Sequence, residues 1–141
     1  MIKLFSTRVG NGALNAWLLI SRLAVGSFML THGIPKIQKV LAGNMQFADP
    51  IGIGSAPSLL LVVFAEALCA FLLILGFATR FASLVLIINM SVIAFIANAH
   101  EPFGKKEVAL LYLVFFVGFL ILGGGKYSID NLIGGKSRSR Y

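Results

Sequence analysis

The sequence predicts an all-α integral membrane protein, a four-helix transmembrane bundle with a short amphipathic segment in its first loop. Three observations predict it. Of the 141 residues, 58% are apolar and only 12% charged, with a mean hydropathy of +0.92; the charged share is about half that of a soluble domain. The apolar residues gather into four stretches, each near the ~20 residues a helix needs to cross the hydrocarbon core. The basic residues fall mostly between and beyond those stretches, as in loops flanking membrane spans. A backbone in lipid must satisfy its own hydrogen bonds, and no alternating barrel pattern is present, so the spans are helices.

The first span runs from Ala13 to Thr31 and is interrupted by Arg22. Lys3 and Arg8 precede it as in a secretory leader, but Arg22 breaks the apolar region and no small-x-small cleavage pattern follows. It reads as retained. The connection from His32 to Pro57 is the longest, with breakers at Pro35, Pro50, Gly52 and Gly54. Within it Ile37, Val40, Leu41, Met45 and Ala48 recur at helical spacing among Lys36, Lys39 and Gln46, which predicts an amphipathic helix on the membrane surface. The second span, Ser58 to Phe77, carries Glu66, and a tight turn leads to Arg80. The third, Phe81 to Ala99, carries Asn89 and Asn98. Pro102 and Gly104 break the chain before the fourth, Val108 to Gly124, which ends in a run of three glycines. The division is a cytoplasmic N-terminal segment (1–12), a transmembrane domain (13–125) and a cytoplasmic basic tail (126–141), polar and mobile.

Four spans put both termini on one side. That side carries Lys3, Arg8, Arg80, Lys126, Lys136, Arg138 and Arg140, against Lys36, Lys39, Lys105 and Lys106 on the other. The positive-inside rule makes the richer side cytoplasmic. The net charge of +7 is thereby explained without nucleic acid. The single cysteine, Cys69, lies in an apolar run; it reads as a buried small residue, and thiol–disulfide chemistry by this chain alone is not expected.

A charge inside a span costs about 2.5–3.5 kcal/mol on insertion scales, so each needs an account. Arg22, Glu66 and Asn89 fall at depths of roughly 13, 16 and 12 Å at 1.5 Å per residue. Position alone predicts an Arg22–Glu66 pair near the midplane with Asn89 as a further partner. It is either a clamp fixing helix register or the floor of a ligand pocket or proton path. A second polar layer sits at the outer ends: His32 and Lys36 close the first span, His100 and Glu101 the third, and Glu107 opens the fourth. On a helix His100 projects within about 20° of Asn89. His32, His100 and Glu107, with Lys36 at the rim, are expected to bound a pocket open to the outside, with the long loop as a lid. Histidine and glutamate there can exchange protons near neutral pH. Solvated groups at the headgroup level are the alternative. Two histidines are too few to define a metal site, so neither metal nor haem is the expectation.

Several segments in order carry a family resemblance: Arg22-Leu23 with Gly26, His32-Gly33-x-x-Lys36, Glu66 followed by Leu-Gly-Phe-Ala-Thr-Arg ending at Arg80, Met90, Glu107-x-Ala-Leu-Leu-Tyr112, and Gly-Gly-Gly-Lys-Tyr-Ser-Ile-Asp ending at Asp130. Over about residues 17–130 the chain resembles the DoxX family of small four-helix bacterial membrane proteins. The resemblance implies a multi-pass protein of the bacterial cytoplasmic (inner) membrane. It also implies a membrane subunit or accessory of a quinone- or thiol-linked redox system, not catalytic alone. Quinone is the cofactor it suggests, and a redox partner subunit or a homo-oligomer the assembly. A small-molecule transporter or channel subunit and a non-catalytic assembly partner are the other readings.

Overall fold

The computed structural model describes residues 7–138, and the regular elements among them are all helices, with no strand. Lys3 and Arg140, counted in the charge asymmetry, and the last three residues of the tail lie outside the described residues. Helix α1 is Asn11–Leu41, α2 Ser55–Leu75, α3 Thr79–Ala97, α4 Phe103–Leu122 and α5 Ile129–Arg138. The first three are long and apolar enough to cross a membrane. A fourth span is the expectation; α4 is present, but Lys105, Lys106 and Glu107 occupy its opening turns, so only Val108 to Leu122 is apolar.

α1 is longer than expected. It passes through Pro35 without ending and reaches Leu41, so the predicted amphipathic helix of the first loop is not a separate element. Ile37, Val40 and Leu41 belong to α1, and Met45 and Ala48 lie in non-helical chain. Pro35 removes one backbone hydrogen bond, but tertiary contacts on both sides hold the helix. Gly33 lies against the backbone of Glu66, where an added Cβ would sit 2.6 Å from the carbonyl oxygen. Lys36 is ion-paired to the Glu66 side chain. One turn pair earlier, Gly26 meets α2 at Ala70 and Ile74. Small residues let two membrane helices approach this closely.

α2 contains a π-helical turn, Phe64–Cys69, and ends at Gly76 in the left-handed region (φ 69°). There the Phe77 N–H donates to the Leu72 carbonyl and the Gly76 N–H to Leu73, the Schellman pattern that glycine permits. α3 begins after Ala78, and its first free N–H groups are satisfied from far along the chain. The Asp130 carboxylate accepts from Ala78 N at 2.7 Å and Thr79 N at 2.8 Å. The tail expected to be mobile is thus docked at its start, with Ser128 buried and the Asp130 N–H donating to the Gly76 carbonyl. The reason is electrostatic, an anion at a helix N-terminus.

The centre of the bundle is apolar: Val25, Met29, Cys69, Leu73, Leu86 and Phe116 are buried in one cluster. Large apolar side chains such as Trp17, Phe28, Phe71, Phe95 and Ile121 face outward. In water such a surface would be unusual; in hydrocarbon it is the solvated face.

Candidate functional site

The polar site is built on the π-helical turn of α2. A turn with one extra residue widens the helix, and Ala65, Glu66 and Ala67 are consecutively buried there. Their small neighbours leave the Glu66 carboxylate, 2% exposed, between α1 and α3. Its Oε2 pairs with Lys36 Nζ, and its Oε1 accepts from Asn89 Nδ2 at 3.1 Å. Single π-helical turns recur at functional sites, and α3 carries a second one, Ile93–Ala97, beside the same cluster.

A cleft of about 160 Å³ opens next to the pair. Its polar groups are His32, Lys36, Glu66, Lys105 and Tyr112; Met29, Met90, Ile93, Val108 and Ala109 complete the wall. The His32 ring meets Tyr112 edge-on (centroids 6.1 Å, 88°), and Tyr112 stacks on Phe116 at 5.9 Å. Lys36 has two further N–H groups beyond the one on Glu66. The loop after α1 lies beside the cluster: the Phe47 ring is 5.8 Å from Lys36 Nζ and 5.9 Å from Lys39 Nζ. The loop is pinned by Asp49, which accepts from Ile53 N, Gly54 N and Ser58 Oγ. These bonds, that from Gly54 first, hold the Asp49 carboxyl below the usual range.

Arg22 does not reach Glu66, which corrects the predicted pair. Arg22 Nε donates to the Ile74 carbonyl at 3.3 Å, Nη2 to Tyr127 at 2.8 Å and Nη1 to Gly124. The guanidinium is 1% exposed and caps the C-terminal end of α2 while tying down the glycine turn after α4. The depth argument failed because α1 begins at Asn11 and runs on to Leu41. Gly33, not Arg22, sits opposite Glu66, and Arg22 lies about 16 Å further toward the other end. Gly76 makes room for it: a Cβ there would stand 2.7 Å from Nη1.

The structure therefore brings together Glu66, Asn89, Lys36 and His32, and places Arg22 in a separate cluster. His100 is exposed in the turn after α3 and does not line the cleft. α3 widens at Ile93 and ends at Ala97, so 100° per residue no longer carries from Asn89 to His100. Glu107 is exposed as well and does not line the cleft: from α4, Lys105, Val108, Ala109 and Tyr112 line it, Lys105 at the exposed rim, where it pairs with Glu101 at 2.8 Å. Tyr112 and Lys105 were missed. Tyr112 had a signal, being the sole side chain with a hydroxyl in the apolar run Val108–Leu122. Lys105 precedes Val108 by one helical turn on the same face.

The family model described as DoxX matches residues 17–99, which include Arg22, His32, Lys36, Glu66 and Asn89. The chain is 29% identical over 126 residues to an uncharacterized protein of Haemophilus influenzae, spanning 82% of this chain and 89% of that one. No solved structure matches it.

Proposed function

The chain belongs to the DoxX family, and from that premise we propose that it is a membrane subunit of a redox system that holds a quinone headgroup beside Glu66. One observation carries the reading: a buried ion pair with a third polar partner, Glu66–Lys36–Asn89, opens into a cleft with further donors on its wall. Ionisable groups at membrane depth are expensive and mark a functional site by default. A cavity near 150 Å³ accepts a benzene-sized ring, and this one is about 160 Å³. The residues present fit the group. Lys36, His32 and Tyr112 offer N–H or O–H donors to a carbonyl oxygen, and Met29, Met90 and Ile93 offer an apolar wall to a ring.

Lys36, His32 and Tyr112 would hold the quinone by its carbonyl oxygen, and the bound group would supply two-electron, two-proton redox chemistry with electrons from a partner protein. Glu66 holds the Lys36 ammonium in place, and Asn89 fixes the second carboxylate oxygen, so the donor geometry is set before a ligand arrives. His32 is exposed on one side and lines the cleft on the other, so its ring stands between the cleft and the outside.

The four-span topology in a bacterial inner membrane, with both termini cytoplasmic, belongs to the same proposal. In it Val108–Leu122 occupies hydrocarbon while Lys105 and Lys106 reach for the outer headgroups. Reporters fused after Lys106 and after Tyr141 should read opposite sides, and a periplasmic C-terminal reporter refutes the topology. Transport is disfavoured, because the apolar layer of Val25, Met29, Leu73, Leu86 and Phe116 closes the bundle between Glu66 and Arg22.

Equilibrium dialysis of the purified protein in detergent, with the decyl derivative of dimethoxy-methyl-benzoquinone, tests the site. Saturable binding is expected, reduced at least tenfold in the Lys36→Met/Glu66→Met double variant. Undiminished binding by a folded double variant overturns the proposal.

A further inference from the structure

We propose that the ligand of the Glu66 cleft is amphipathic and lies with an apolar tail in the groove between α1 and α4, entering sideways from the membrane; this rests on the quinone reading above. α1 packs mainly on α2, and α4 mainly on α3, so the α1–α4 seam is the loosest in the bundle. A groove of about 450 Å³ runs along it, walled by Trp17, Ile20, Ala24 and Phe28 on α1 and by Leu111 and Phe115 on α4. It has no charged residue on its walls. The polar cleft holds charges on three of its walls.

The two spaces are neighbours. Val108 and Tyr112 line both, so Tyr112 is the partition between the charged end and the apolar channel. What closes the partition on the α1 side is His32, whose contact with Tyr112 is an edge-on ring contact. An edge-on ring contact of this kind is weak enough for a ligand to part. The combined shape is a polar head chamber and an apolar trough, which an ion or a water-soluble molecule would leave half unused. A lipid-borne quinone fills both, and it is already in the phase onto which the groove opens.

A second apolar groove lies between α2 and α3 under Phe47 and Ile53, walled also by Leu61, Val62 and Ile88. It touches the polar cluster through Asn89 but shares no wall residue with the cleft. The α1–α4 groove is therefore the assigned tail site, and the other is the control.

The test compares binding of tail-free dimethoxy-methyl-benzoquinone with that of its decyl derivative, in wild type, Ala24→Phe and Leu61→Phe. The ratio between variants cancels the partitioning of the tail into micelles. The proposal expects the decyl form to bind wild type at least tenfold more tightly. Ala24→Phe should shrink that preference to threefold or less and leave tail-free binding unchanged; Leu61→Phe should keep it. A bromine-tipped decyl tail should quench Trp17, the single tryptophan, in a saturable way that unbrominated ligand reverses. Equal affinity of wild type for both forms, or loss of the preference in Leu61→Phe and not in Ala24→Phe, overturns the groove while leaving the headgroup site standing. Binding of neither form overturns both readings.

Discussion

Breaking the Lys36–Glu66 pair from either side should have unequal effects, and the inequality follows from exposure. Glu66 is 2% exposed and Lys36 22%. In Lys36→Met the carboxylate stays buried with Asn89 as its one remaining partner among the contacts shown. Removing one partner of a buried pair costs about 3–5 kcal/mol, and Glu66 is the more deeply buried of the two. In Glu66→Gln the orphaned ammonium can swing outward on its flexible stem. That variant forfeits roughly one charge-assisted hydrogen bond, about 1.5–3 kcal/mol, and Gln can still accept from Asn89. Replacing both by methionine removes both charges and should recover most of the loss, since apolar replacement of a buried pair is often neutral. The assay is thermal or denaturant unfolding of the purified protein in detergent, followed by circular dichroism. The expected order of stability is wild type close to the double variant, then Glu66→Gln, then Lys36→Met. If Glu66→Gln is the worse single variant, or the two singles are equal, the exposure argument is wrong.

Arg22→Lys should cost about 1.5–3 kcal/mol, the worth of one charge-assisted hydrogen bond, because a lysine cannot serve the Ile74, Gly124 and Tyr127 carbonyls with one planar fork; unchanged unfolding would refute its role as a cap. Gly33→Ala places a methyl 2.6 Å from the Glu66 carbonyl, so α1 and α2 must part; a loss of about 1–3 kcal/mol is expected, and Gly12→Ala, with open space around it, is the control that should not show it. The Asp49 carboxyl titrates below its ordinary value because the Gly54 N–H and its companions favour the charged form. Its loop bonds are therefore intact above about pH 4 and are lost only as pH falls through the lowered value. An NMR titration of the Gly54 amide should show a midpoint below that of a free aspartate, and a midpoint at or above it would contradict the capped loop.

The membrane class of this protein was legible in the sequence because hydropathy over a window of about 20 residues is a local property. So was the importance of Arg22 and Glu66, since the cost of a charge in an apolar run needs no knowledge of its partner. The partner itself was not legible. Which groups meet depends on where each helix starts and how two helices slide past each other. Here that register is set by backbone approach at Gly26 and Gly33, and it moved Arg22 away from Glu66 and brought Lys36 to it. The helical angle from Asn89 to His100 was sound arithmetic on a helix that does not continue, because α3 widens at Ile93. Asp130 gave no local sign of capping α3, because the N–H groups it serves belong to Ala78 and Thr79, far back in the chain. Periodicity and cost are written along the chain. Pairing is decided across space, where helix ends, close glycine contacts and widened turns choose which polar groups share a cleft.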